Sequence, residues 1–159
     1  MIQNHNIQPI YQKDSKILIL GSFPSVKSRE AQFFYHHPQN RFWKILSTLY
    51  QYPPLTTIED KKHFLIQHHI ALWDVIASCE IKGSSDSSIE NVIVNDISFI
   101  LQQTSIQTIY TNGKKAHQLY QKYCFPLTHQ EDICLPSTSP ANASYSFDKL
   151  LSCWEIITK

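Results

Sequence analysis

From residue 16 to residue 22 the chain reads KILILGS, a short apolar run that ends at Gly21. A run of this length without alternation is the pattern of a strand buried on both faces, feeding a loop at its carboxyl end. The next periodic segment is helical. Phe42, Ile45, Leu46 and Leu49 recur at helical spacing behind Pro38, and a proline suits the first helical position because its missing N–H would be unpaired there, so a helix is predicted from near Pro38. After the turn-like YPPL at 52–55 a second helix is predicted over Ile58–Gln67, and residues 70–76, IALWDVI, form another apolar strand. The polar stretch KGSSDSS at 82–88 is read as a loop.

Asn95 is placed to cap a helix whose apolar face is Ile97, Ile100 and Leu101, and residues 106–110 make a third strand just before Asn112-Gly113. Residues 114–123 are predicted as a helix with Ala116, Leu119, Tyr120 and Tyr123 on one face, and residues 133–135 as a fourth strand. A serine-rich loop at 136–146, PSTSPANASYS, leads into a last helix with Phe147, Leu150, Leu151, Trp154 and Ile157 inward. Alternating strands and helices imply an α/β fold, a three-layer α/β/α sandwich around a central, mostly parallel four-stranded sheet. One domain over residues 1–159 is expected, long enough to bury roughly 70% of its unfolded surface.

In such sheets ligands bind at the carboxyl ends of the strands, where three loops are expected to converge: residues 21–40, Asn112-Gly113 and residues 136–144. The first is long for a strand-to-helix connection and carries Phe23, Phe33, Phe34 and Tyr35, rings that are costly to leave in water. It is read as a site builder, with an idle surface insertion as the alternative.

Composition narrows the classes further. With 42% hydrophobic and 17% charged residues and a net charge of +1, neither disorder nor a strongly basic binding protein is indicated. Local basic patches are still possible, and Arg41, Lys44, Lys114 and Lys115 are candidates for a basic rim, or simply solvated charges. Cys79, Cys124, Cys134 and Cys153 include no C-x2-C pair and are read as reduced thiols. With no cationic leader and no 18-residue apolar run, no membrane association and a cytoplasmic location are expected.

Several chemistries fail on pattern. No G-x-x-x-x-G-K-[ST] or G-x-G-x-x-G follows the first strand, which removes the common nucleotide-binding readings. Ser22 and Ser25 follow the strand but lack a G-x-S-x-G elbow, so a serine hydrolase is a minor alternative. His36 and His37 diverge as adjacent side chains and have no H-x-x-x-H partner, so no metal is predicted.

GSFPS, YHHPQNRFWKIL, ALWDVIASCEIKGSSDSSI and LPSTSPANAS, in that order and spread over most of the chain, resemble motifs of the uracil-DNA glycosylase superfamily. They are most similar to its hypoxanthine-DNA (deoxyinosine) glycosylase branch; the mismatch-specific uracil/thymine branch shares the HPxNRFWK portion. The resemblance implies a monofunctional glycosylase that flips a deaminated base, chiefly hypoxanthine, out of DNA and hydrolyses its N-glycosidic bond, working as a monomer without a cofactor.

It also implies residue roles. Asn40 matches the asparagine implicated in bond cleavage in the hypoxanthine branch; read from position alone, it is equally a helix-start asparagine satisfying local N–H groups. Tyr35 matches the position whose ring stacks on the extruded base, against the alternative of a core aromatic. Backbone N–H groups of Ser22 and Phe23 are candidate donors to a purine oxygen, and Asn112 completes the base-binding set. Ser25, Ser137, Ser139 and Asn142 are candidate phosphate contacts, and Pro140 and Ala141 candidates for the gap the base leaves, although STSPANAS also reads as plain turn and cap chemistry. One departure stands out: where other branches carry an asparagine or aspartate just after the first strand, this chain has Phe23, with no acidic residue in the loop before Glu30. A non-catalytic nucleic-acid-binding domain of the same fold is therefore the rival from another class.

Overall fold

A computed structural model describes residues 2–4, 7–80 and 90–159. The strands are β1 (Ile2–Asn4), β2 (Ile17–Gly21), β3 (Ile70–Asp74), β4 (Ile76–Glu80), β5 (Glu90–Val94), β6 (Thr108–Asn112) and β7 (Asp132–Leu135). The α-helices are α1 (Val26–Ala31), α2 (Phe42–Leu49), α3 (Ile58–Gln67), α4 (Ile97–Gln103), α5 (Lys114–Leu119), α6 (Phe125–Thr128) and α7 (Phe147–Trp154).

The central sheet has the order β3-β2-β6-β7, and every pairing in it is parallel. Alternation along the strands decides the layers. Ile19, Leu72 and Tyr110 point to one face and pack with Phe42, Ile45, Phe64, Leu150 and Trp154 of α2, α3 and α7. Leu18, Leu20, Ala71 and Ile109 point to the other and pack with Ile97, Ile100, Leu119 and Tyr120. The three-layer expectation therefore holds, with helices on both sides of a four-stranded sheet. Burial of each large apolar side chain in these layers contributes about 1.5–3 kcal/mol. The predicted strand at 16–22 and the helix over Ile58–Gln67 also form.

Several local expectations are corrected. Pro38 does not start a helix: His37 O accepts the Asn40 N–H at 3.0 Å, which puts Pro38 second in a four-residue turn, the other place where its fixed φ is favoured. His37 Nδ1 accepts the Gln39 N–H at 3.1 Å and tightens the same turn. The helix begins only at Phe42. The stretch 21–40 is not all loop, since Ser25 caps the short helix α1 by accepting the Ser28 N–H. The capping residue of α4 is Asp96, which accepts from Phe99 N; Asn95 instead donates its Nδ2 to Asp74 O at 2.9 Å. The third strand is displaced along the chain, to Thr108–Asn112, and the helix predicted at 114–123 passes after Leu119 into a π-helical segment, Tyr120–Cys124.

The run predicted as one strand at 70–76 is two. β3 stops at Asp74, and β4 turns away into a second, antiparallel sheet of order β1-β4-β5 that the apolar pattern did not announce. The polar loop expected at 82–88 lies outside the described residues. Among the described residues all four cysteines are free thiols, Cys79 and Cys124 buried, Cys134 and Cys153 exposed. No described helix is long and apolar enough to cross a membrane.

Candidate active site

Strand order changes direction beside β2: the chain lays β3 on one side of it and then β6 and β7 on the other. The carboxyl ends of β2, β3 and β6 carry Gly21, Asp74 and Asn112, and β7 leads into the serine-rich loop. At this switch point lies a cleft of about 120 Å³ lined by residues from all four, including Ser22, Phe23, Ser25, Tyr35, Asn40, Asp74, Asn112, Ser137 and Ser139. Of the residues singled out from sequence, Ser22, Phe23, Ser25, Tyr35, Asn40, Asn112, Ser137 and Ser139 reach the cleft, whereas Pro140, Ala141 and Asn142 are not among its lining residues and continue the loop beyond Ser139.

Thr138, fully buried, is the hub of the polar wall. Its N–H donates to Asn112 Oδ1 at 3.0 Å, and its hydroxyl accepts from Asn112 Nδ2 at 3.0 Å. The hydroxyl then donates to Asn40 Oδ1 at 2.8 Å, which also accepts the Phe42 N–H at 3.0 Å. Every direction in this chain is dictated, because a backbone N–H can only donate. Asn40 Oδ1 is thus consumed by two donors, and its Nδ2 is the group left for the cleft. The local reading of Asn40 is met, since its oxygen satisfies the helix start, and the residue also lines the cleft. The Asn112 carboxamide is committed at both ends to Thr138.

The aromatic segment before α2 is fixed from behind. Phe33 stacks on Trp43 with ring centroids 5.7 Å apart, and Trp43 Nε1 donates to Phe34 O at 3.1 Å. Tyr35 follows in the left-handed region, φ 51°, an unfavourable conformation for a bulky residue. One face of its half-buried ring lies on Phe42, centroids 4.0 Å apart, and its hydroxyl is buried without a hydrogen-bond partner among the described residues. Burial, and after it the Asp74 carboxyl, push the phenol well above its ordinary range, with the Asn112 side chain opposing. The His36 backbone N–H is tied to Ser28 Oγ at 2.9 Å.

Gly21 explains how these groups fit together. A Cβ there would stand 2.5 Å from Asp74 Oδ1 and 3.1 Å from the Tyr35 hydroxyl, so only glycine lets both side chains close over the strand end. Gly113, at φ 98°, plays the same part under Ser137, whose Cβ would be 3.1 Å away.

Arg41, expected on a basic rim, is used internally. Its guanidinium donates to the carbonyls of Ser139, Asn142 and Tyr145, and its N–H to Thr138 O, so it clamps the serine-rich loop to the start of α2. Lys44 lies over the Phe147 ring. Among the described residues no cluster suited to a metal ion occurs.

Thr138 and Asp74, both in the cleft, escaped the sequence reading. Thr138 sat between the serines that drew attention, and a hydroxyl in a serine-rich loop carries no signal of burial. Asp74 supplies the carboxyl that the first loop lacks, entering from the neighbouring strand in register with Gly21. It is buried, and burial pushes its carboxyl up to about 7. The signal was an acidic residue at the end of an apolar run, legible only once the strands are paired.

A family model described as the uracil DNA glycosylase superfamily matches residues 8–158. A hypoxanthine DNA glycosylase of Methanosarcina acetivorans is 31% identical over 150 residues, 93% of either chain, and one of Methanosarcina barkeri is 28% identical over 89% of either chain. The solution NMR structure of a Methanosarcina acetivorans protein, described as a candidate uracil DNA glycosylase, superposes with a TM-score of 0.83 at 31% identity, covering 99% of this chain and 96% of that one. With a cleft at the strand ends, an asparagine amide turned into it and this similarity along nearly its whole length, the chain belongs to the uracil DNA glycosylase superfamily.

Proposed function

We propose that the chain is a monofunctional DNA glycosylase that hydrolyses the N-glycosidic bond of deaminated bases, chiefly hypoxanthine, and leaves an abasic site. The observation that carries this is the Asn112–Thr138–Asn40 hydrogen-bond chain, which turns one amide N–H2 group into the cleft of a protein similar throughout to hypoxanthine DNA glycosylases. The base, flipped from the duplex, stacks on the Tyr35 face opposite Phe42, an interaction worth roughly 1–3 kcal/mol. As the C1′–N bond breaks, its electron pair leaves with the base and the sugar becomes cationic. Asn40 Nδ2 meets the base or the incoming water, and the Ser22 and Phe23 N–H groups stabilise the oxygen of the base. Ser25, Ser137, Ser139 and Asn142 contact the strand, with Pro140 and Ala141 entering the vacated stack.

Among the described residues no lysine lines the cleft, and a monofunctional reaction without a Schiff base, leaving the strand intact after base release, is the reading this supports. The test is incubation with matched duplexes containing deoxyinosine or deoxyuridine, with mass spectrometry of the released base. Hypoxanthine release by the native protein, lost in Asn40→Ala while duplex binding persists, is expected. Efficient uracil release without hypoxanthine release would replace the substrate, and inactivity on every deaminated base would favour the binding-domain reading.

A further inference from the structure

Among the described residues Asp74 is the one ionisable cleft residue for which the reaction above has no use. It stands at the carboxyl end of β3 beside Gly21, is 3% exposed, and lines the cleft with Tyr35, Asn40 and Asn112. Its Oδ2 has no hydrogen-bond partner among the described residues. A buried carboxyl oxygen left unpaired is costly, and such a group is retained where a ligand completes it.

Its surroundings decide which form it takes. Gly21 of β2 lies beneath it, and Ser28 of α1 and Asn40 before α2 contribute neutral groups to the same cleft. Tyr35, its ionisable neighbour in the cleft, is kept neutral by burial. Arg29 of α1 stands over the Phe23 ring at 5.2 Å, and His36 is exposed and outside the lining. Among the described residues no lysine, arginine or histidine lines the cleft, so none of them favours the ionised carboxyl.

We propose that Asp74, protonated, donates a hydrogen bond from Oδ2 to the carbonyl oxygen that deamination creates on the base, selecting deaminated bases over their parents and stabilising the departing one; this rests on the glycosylase reading. Deamination replaces an exocyclic N–H2 donor by a carbonyl acceptor. A carboxylic acid O–H facing that position is satisfied by the carbonyl and confronts a donor in adenine or cytosine. The departing base carries the electron pair of the broken bond, and part of that charge resides on the same oxygen. An acid donor there stabilises it, whereas a carboxylate would repel it. Burial holds the Asp74 carboxyl near about 7, so much of it is acidic at neutral pH, when an ordinary aspartate would be fully ionised.

The sign follows. The productive form is the protonated one, so single-turnover hypoxanthine release falls as pH rises through about 7, by about thirtyfold between about pH 6 and about pH 8.5 for one titrating group. Asp74→Asn, whose amide donates without titrating, is expected to keep release within about tenfold of the native rate near pH 6 and to lose the pH dependence. A second readout is independent of turnover: binding of a duplex carrying 2′-fluoro-deoxyinosine, whose fluorine prevents the sugar from becoming cationic. Native affinity should weaken over the same pH range, and that of Asp74→Asn should not. A native rate that rises through pH 7, with Asp74→Asn inactive, would overturn the proposal by making the carboxylate the working form. So would an unchanged pH profile in the variant. If pH-dependent analogue binding appears but no hypoxanthine is released, the assigned activity fails and the Asp74 contact stands.

Discussion

Removing the Thr138 hydroxyl tests whether Asn40 acts through its orientation. Thr138→Val keeps shape and volume and deletes one atom that makes two hydrogen bonds, to Asn112 Nδ2 at 3.0 Å and Asn40 Oδ1 at 2.8 Å. Thr138 is fully buried, so no water replaces that atom easily. Asn112 Nδ2 then loses the partner that holds it, at about 1–3 kcal/mol for a buried group left unsatisfied. Asn40 Oδ1 keeps the Phe42 N–H and loses only a net bond of about 0.5–1.5 kcal/mol. Together these give a destabilisation of about 2–4 kcal/mol, read as a fall in Tm of about 4–16 °C. With one tether instead of two the Asn40 amide is free to rotate, and displacement of a catalytic group by about 1 Å costs on the order of a hundredfold in rate. Single-turnover release from a deoxyinosine duplex, measured well below the variant's Tm, should fall by that order, whereas Thr138→Ser, which keeps the hydroxyl, should stay near native. A folded Thr138→Val protein with native release would refute the orienting role.

Other outcomes follow from the same geometry. Gly21→Ala places a methyl group 2.5 Å from Asp74 Oδ1, so base release should drop sharply and thermal stability fall by about 1–3 kcal/mol as the strand end is forced apart. Tyr35→Phe removes a buried hydroxyl that has no partner among the described residues, so Tm should hold or rise, by up to about 1 kcal/mol of stability, with release retained because the stacking ring remains. The raised Asp74 pKa also acts on stability: the folded state holds this proton more tightly than the unfolded chain, so the native protein loses stability as pH rises from about 4 to about 7. Chemical denaturation should show Asp74→Asn gaining on the native protein across that range, by up to roughly 4 kcal/mol from the shift of about three units, and no pH-dependent difference below it.

Alternating apolar runs and helical periods determined the class of fold, because burial on both faces and burial on one face leave different periods in a sequence. They located the four central strands to within a few residues, the Ile58–Gln67 helix and the loops that meet at the cleft. Motif resemblance added Asn40 and Tyr35, which the fold does bring to one place. What the periodicity could not carry was pairing. Whether residues 70–76 form one strand or two depends on which neighbours accept their hydrogen bonds, and the turn at Pro38 depends on a bond to Asn40 that competes with helix initiation.

The same limit explains why Asp74 and Thr138 were missed in the cleft. Asp74 becomes part of it only because β2 and β3 align in parallel with Gly21 opposite it, a register set by packing on both faces of the sheet. Thr138 becomes its hub only because Arg41 draws the late loop onto the start of α2. Sequence therefore determined which residues could bury and which could bond; tertiary structure decided which of them meet, because hydrogen bonds between distant segments leave no period along the chain.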